Sequence, residues 1–339
     1  MANFDNKVNI SDSWKGIDNI QINIGDSWKD VSEAYINIGD SWKTFWSAEV
    51  AGDRGVFGGG RNTSSTVVNT MDYITISNTG NATDFGDLTV TSWYLGGVSN
   101  GIDGRGCFGA GKAASNNNTI GYITVLTTSN ASDFGDLTVA RYQCDGNSNG
   151  TNERGCFGGG AGSNVIDYIT ISNTGNATDF GNLTSSKRVY AGGLSNMTHE
   201  RGIWAGGYIS AATYTIDYIT ISTTSNAADF GNLTIASHSQ SATSNGTNER
   251  AIVALGVSGR PAVDYFTIST TGNASDFGDL TVSRYSASAT SNGTNERGVF
   301  AGGSGSNVID YVTMSTTGNA TDFGNQSLSR ESSGALSNA

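Results

Sequence analysis

One phrase is written six times along this chain, and its spacing limits the fold more than any other feature. The copies open at Arg54-Gly-Val-Phe, Arg105-Gly-Cys-Phe, Arg154-Gly-Cys-Phe, Arg201-Gly-Ile-Trp, Arg250-Ala-Ile-Val and Arg297-Gly-Val-Phe. The steps between them are 51, 49, 47, 49 and 47 residues. A period of this length means that one supersecondary unit is stacked repeatedly, each copy burying its apolar face against its neighbours. Function must then be sought where the copies differ.

Within a period the signals are those of strands. With 47 glycines and 1 proline, Gly clusters recur at fixed places between short alternating apolar runs, the punctuation of strands and tight turns. The last full copy has a small-residue first strand from Arg284, a turn at 292–296 and a second strand from Arg297 ending at Gly302-Gly303. A third strand runs from Val308 to Met314, and Asp322-Phe-Gly324 leads into a fourth. No segment has helical periodicity. Four short antiparallel strands per period, six times over, predict an all-β chain whose residues 51–339 form a six-bladed β-propeller around a central channel.

A ring leaves edges open unless its ends are joined. The first copy has no clear first strand, whereas residues 328–338 read as a first strand that stops before its turn. The two fragments complete each other, so residues 328–338 are expected to pair with residues 54–60. Residues 1–50 are a different segment. Asp12-Ser-Trp-Lys15, Asp26-Ser-Trp-Lys29 and Asp40-Ser-Trp-Lys43 recur every 14 residues, which predicts three small hairpins. So little chain buries Trp14, Trp28 and Trp42 poorly by itself, and these three are the candidate attachment residues.

Charge and composition exclude several function classes. The 18 basic and 30 acidic residues leave a net charge of −12, which argues against nucleic acid and anionic membranes. No apolar stretch reaches transmembrane length, and the first residues lack the hydrophobic region of a secretory signal. Cys107, Cys144 and Cys156 stand where other copies carry small hydrophobes, so they read as buried thiols and not as a disulfide framework. His199 and His238 lie in different copies, which supports neither a histidine metal site nor a catalytic triad. No cofactor or metal is indicated. The Asp of each Asp-Phe-Gly is expected to cap a turn, and third-strand Asp72, Asp167, Asp217, Asp264 and Asp310 to pair with the repeat arginines.

A basic residue opening the first strand, a second strand ending in two glycines (Gly59-Gly60, Gly159-Gly160, Gly206-Gly207, Gly302-Gly303) and a Tyr-bearing third strand resemble the kelch repeat. The Trp that follows the kelch tyrosine is replaced here by a Phe twelve residues on. Arg-Gly-Val-Phe-Gly-Gly-Gly with Asp-Tyr-Ile-Thr-Ile and Gly-Asn-Ala-Thr-Asp-Phe-Gly is also similar to repeats in tail and fibre proteins of bacteriophages, as are the Ser-Trp-Lys repeats. The resemblance implies a non-enzymatic virion protein assembled in the host cytoplasm. Its N-terminal segment would join tail or baseplate proteins or further copies of itself, and its propeller face would meet a host-surface glycan or protein. The alternatives are a cap or decoration subunit with no receptor, and a polysaccharide-active enzyme.

Antiparallel strands put the first–second and third–fourth turns on one face and the remaining connections on the other. The first set is nearly identical from copy to copy, while the second differs in length and residues. Binding loops diverge on a constant scaffold, so the variable face supplies the candidate ligand residues: Trp93, Tyr94, Lys112, Tyr142, Lys187, Tyr190, Tyr208, Tyr214, His238, Arg260 and Tyr285.

Overall fold

The computed structural model describes residues 52–101, 104–150, 153–187, 193–256 and 260–339, together with the backbone of six short strands within residues 1–50. The chain divides into two compact units, residues 1–50 and 51–339. The larger is a six-bladed β-propeller of four-stranded antiparallel blades. Blade 3 is typical: Asp145–Ser148, Arg154–Gly158, Val165–Thr170 and Thr178–Asn182, hydrogen-bonded in sequence order. The inner strands of blades 2 and 4 to 6 are Gly96–Ser99, Gly193–Ser195, Ser241–Ser244 and Ser288–Ser291.

Blade 1 is assembled from both ends of the ring. Gly334–Ser337 forms its inner strand and pairs with Arg54–Gly58, with Leu336 opposite Val56. Arg330 and Glu331 pair with Asn62 and Arg61, and the Asn338 side chain accepts the Arg54 N–H at 2.9 Å. The expected closure is what the fold contains.

The repeated phrase now has a physical content. The side chain that follows Arg-Gly by one or two residues enters the core, and Phe57, Phe157, Trp204 and Phe300 are fully buried. At roughly 1.5–3 kcal/mol per side chain, such residues dominate blade stability. The arginine guanidinium lies over the third-strand tyrosine of its own blade, at 4.2–4.8 Å in all six. Its Nη1 donates to carbonyls at the end of the following blade's third strand, for example Arg105 to Ser172 at 2.7 Å and Arg297 to Ile76 at 3.0 Å. One side chain thus makes a cation–π contact within its blade and a hydrogen bond to the next. The glycine of the phrase receives a side chain from the preceding blade's inner strand. A Cβ on Gly106 would lie 2.6 Å from Leu336, and one on Gly155 would lie 2.7 Å from Val98.

Asp-Phe-Gly marks a β-bulge at the outer seam. The phenylalanine meets the blade's tyrosine edge to face, with centroids 6.0–6.1 Å apart. The glycine adopts positive φ (Gly135, +144°) against the next blade's turn, where a Cβ would lie 2.5 Å from the Gly175 carbonyl. The aspartate does not cap this turn, contrary to the sequence expectation. It is exposed in every blade, and the capping acceptor is the turn's asparagine, as in Asp136 N–H to Asn176 Oδ1 at 3.0 Å.

In the smaller unit, Lys7–Ile10 pairs with Ser13–Gly16, Gln21–Ile24 with Ser27–Asp30, and Glu33–Ile38 with Ser41–Ser47. Asn9, Asn23 and Asn37 stand opposite Trp14, Trp28 and Trp42, so the hairpin period is present. The three tryptophan side chains lie outside the described residues.

Because blade 1 has no other inner strand, deleting residues 330–339 should abolish the cooperative thermal transition of the propeller. A truncated chain that melts at the intact protein's temperature would refute closure as the stabilising feature.

Candidate functional site

The two faces of the ring are built differently. On the uniform face, the Asn that ends each inner strand accepts the N–H of its blade's repeat arginine, five residues on in blades 2 to 6, for example Asn149 from Arg154 at 2.8 Å and Asn245 from Arg250 at 2.7 Å. Its amide then reaches the next blade: Asn196 donates to Glu249 at 3.2 Å, Asn245 to Glu296 at 3.2 Å, and Asn292 to Asp53 at 3.4 Å. Ser-Asn-Gly-Thr-Asn-Glu repeats because its polar atoms hold blade to blade. Met197 replaces the turn's glycine in blade 4 with φ +56°, and its side chain lies against Gly150 and Gly246 beside the channel mouth.

On the variable face, each described connection into a new inner strand has one residue in the left-handed region: Tyr94, Gln143, Ser239, Ser286 and Ser332, with φ of 55–62°. Their backbones form a collar. Ser286 N–H donates to Ser239 O, Ser332 to Ser286, Tyr94 to Ser332 and Gln143 to Tyr94, at 2.7–3.0 Å. A bulky residue held at positive φ is a marked departure, and Tyr94 is the bulkiest of the five.

Around this collar the structure brings several of the expected residues together. Arg61 lies 4.1 Å over the Trp93 ring, Trp93 stacks on Tyr94 at 4.0 Å, Tyr94 is 6.0 Å from Tyr142, and the Lys112 ammonium is 4.8 Å over Tyr142. The backbones of Trp93 and Lys112 pair directly. Arg61 is anchored by Glu331 at 3.1 Å. This is a stacked ladder spanning blades 1 to 3, and Trp93 is half-buried within it. Arg61 and Glu331 were not among the candidate ligand residues, although Arg61 opens a variable connection and Glu331 holds the slot that Trp93 holds in the next blade.

A second group lies on blades 4 to 6. Tyr208 meets His238 edge to face at 5.5 Å, and burial holds the His238 imidazole below its ordinary pKa. Ile209, Tyr214 and Tyr285 are 51, 52 and 44% exposed, so their apolar surfaces are open to solvent. Arg260 is exposed in blade 5. Tyr190 lies outside the described residues.

Lys187 does not belong to this face. It is fully buried, 3.3 Å from Asp217. The same pairing corrects the expectation for the third-strand aspartates. Their partners are the cations that precede the inner strands, not the repeat arginines: Arg141–Asp167 at 3.0 Å, Arg284–Asp310 at 2.9 Å and Arg330–Asp72 at 3.1 Å. A hydroxyl from the preceding blade completes each carboxylate, as Thr281 does for Asp310 and Ser327 for Asp72. In blade 2 both partners are missing together, with Ser92 and Gly121 in their places. In blade 5 only the cation is missing. Asp264 is buried opposite Ser237, and burial raises its pKa although Thr234 donates two hydrogen bonds to it.

The axis is an open channel lined by the six inner strands, with a cavity of about 100 Å³. Cys107, Cys144 and Cys156 are buried and unpaired, and burial pushes the first two thiols up to about 12 and about 11. Among the described residues, no three His, Cys, Asp or Glu side chains converge on a point that could hold a metal ion. Comparison with protein-family models and with curated proteins returned no match.

Equivalent aspartates should respond to one substitution with opposite signs. Asp310→Asn strands the buried Arg284 charge and should destabilise by about 3–5 kcal/mol. Asp264→Asn removes a buried charge that has no cation and should stabilise at pH 7. A raised carboxylate pKa contributes stability below the unfolded-state value, and that contribution is lost as pH rises through the folded-state value. The advantage of Asp264→Asn should therefore shrink on acidification. Urea melts of both variants at pH 7 and pH 4 measure this.

Proposed function

We propose that this chain is a non-enzymatic tail or fibre protein of a phage virion. Its variable propeller face recognises a host-surface glycan or protein, and its N-terminal hairpins attach it to the particle. The observation that carries the reading is the asymmetry of the two faces. One face uses its polar atoms to hold the blades together, while the other presents blade-specific aromatic and basic residues on a rigid collar. Exposed tyrosines are suited to sugars and to protein surfaces alike, having an apolar body and a polar tip. The likeness of the repeats to phage tail and fibre sequences supports the virion setting, and the paired Ser-Trp-Lys hairpins support an attachment segment.

The non-enzymatic part is supported by the state of the titratable groups. The buried carboxylates of four blades are held in ion pairs with Arg or Lys. His199 is paired with Glu249 on the uniform face, and His238 packs on Tyr208.

One observation favours a second reading, a cap or decoration subunit without a receptor. The Arg61–Lys112 ladder commits its ring faces to intramolecular stacking, which stiffens the face without offering those surfaces to a ligand. The two readings separate experimentally. Receptor recognition predicts that the full chain binds bacterial cells or their purified surface glycans, and that Tyr214→Ala with Tyr285→Ala weakens binding at least tenfold, about 1.4 kcal/mol, without lowering the melting temperature. A folded chain that adsorbs to no cell or glycan of its host would favour the decoration role.

A further inference from the structure

The innermost strands are sheet edges, and their unpaired backbone groups face the axis. Asn149 N–H donates to Arg154 O, so by the alternation of an antiparallel ladder Gly146 and Ser148 turn their N–H and C=O groups inward. At the serine level the inward carbonyls are met by hydroxyls of the following blade: Ser195 Oγ to Ser148 O at 2.6 Å, Ser244 to Ser195 at 2.5 Å and Ser291 to Ser244 at 2.7 Å. At the glycine level a single side chain intervenes. Asp145 accepts the N–H of Gly146 and of Gly193 at 2.8 Å each, with Gly97 N–H as a third donor. The described inner strands otherwise carry Gly96, Ser241, Ser288 and Gly334 at this place.

Asp145 has no cationic partner among the described residues. Two residues on, and so on the same side of the strand, Asn147 is only 4% exposed, its amide lies against Gly202 of the next blade, and neither amide atom has a hydrogen-bond partner. Asn147 borders the wider part of the channel cavity, and Asp145 borders an enclosed part of about 40 Å³. Gly97, Gly146 and Gly193 line both parts. A half-buried carboxylate without a cation and an unmet buried amide are each costly, and one ligand would relieve both.

We propose that the axial channel binds a small monovalent cation (sodium, potassium or ammonium) through the Asp145 carboxylate, the Asn147 amide oxygen and inward backbone carbonyls. A single carboxylate matches a single positive charge. Calcium takes six to eight oxygens and is usually held by several carboxylates, and magnesium retains its waters. Water would satisfy the amide but leave the charge of Asp145 unbalanced.

Burial pushes the Asp145 carboxyl up to about 7 against the pull of its three N–H donors. The Cys144 thiol next to it in the chain feels the Asp145 charge, and the nearby Arg141 is committed to Asp167. A bound cation would return Asp145 toward the ordinary carboxylate range.

Thermal melts of the full chain at pH 8 test this, with ionic strength and chloride held constant while sodium, potassium or ammonium replaces N-methylglucamine. At least one small cation should raise the midpoint saturably. Asp145→Asn should remove that dependence. Asn147→Leu places in blade 3 the residue that blades 1 and 4 carry at this slot (Leu336 and Leu194), and should weaken apparent affinity about tenfold. Equal midpoints in all four salts would overturn the site, as would an unchanged apparent cation affinity in Asn147→Leu, the deciding variant should Asp145→Asn not fold. A larger shift with calcium or magnesium at equal ionic strength would overturn the monovalent assignment.

Discussion

Six sheet edges meet at the axis of this ring, and their mutual approach is the constraint on which the rest of the structure depends. A Cβ at Gly97 would stand 2.2 Å from the Ala335 carbonyl, and one at Gly146 would stand 2.5 Å from the Gly97 carbonyl. Only very small side chains fit there. Glycine fills that level in blades 2 to 4 and alanine fills it in blades 1, 5 and 6, as Ala335, Ala242 and Ala289. A centre without bulk cannot supply a hydrophobic core, so the apolar packing lies between blades, where Phe and Trp side chains of one second strand cover glycines of the preceding one. Trp204 over Gly158 is the largest instance, and its indole N–H donates to the Asp145 carbonyl at 3.0 Å. At the serine level the inward carbonyls are met by serine hydroxyls of the following blade.

The same geometry explains why the ends of the ring must join. Each repeat arginine, each Asp-Phe-Gly bulge and each inner-strand side chain acts on the neighbouring blade, so every blade is half of two interfaces. An open array would leave one such set unmet. Gly55 receives Thr290, Gly106 receives Leu336, and Arg297 donates to Ile76: all three contacts cross or adjoin the junction between blades 6, 1 and 2. The closure is therefore an ordinary blade interface made by residues far apart in sequence, and it derives its specificity from the repeat itself.

Much of this was legible in the sequence because the repeat is long, regular and dense in glycine. Blade number, strand order and the union of residues 328–338 with residues 54–60 all follow from counting and from one missing strand. The partners of charged residues did not follow. Arg54 and its equivalents looked like mates for the third-strand aspartates, but they lie over tyrosines and bond to carbonyls, while Arg141, Lys187, Arg284 and Arg330 enter the core to meet those aspartates. Letters spaced along a repeat show that two groups recur together, but not whether they meet within one blade or across a seam. Lys187 was misplaced for this reason: its loop sits on the variable face, yet its ammonium ends beside Asp217. Asp145 escaped notice because its importance comes from the smallness of its five counterparts.

Departures from the repeat carry different meanings according to where they fall. At the seams, the loss of a cation and its aspartate together (Ser92 with Gly121) preserves neutrality in the interior, which is what burial demands. On the variable face the slots are not matched in this way from blade to blade. Trp93, Tyr142, His238, Tyr285 and Glu331 occupy one slot around the ring and range from a large indole to a carboxylate, although the backbone collar beneath them keeps the same left-handed step. Constancy of backbone under diversity of side chain is what a recognition surface requires, because contacts can change without disturbing the ring. A purely structural face would be under the opposite pressure, since each neighbour in an assembly of fixed geometry makes the same demand on every blade it meets. The diversity of that one slot is thus the physical feature that weighs the variable face toward binding.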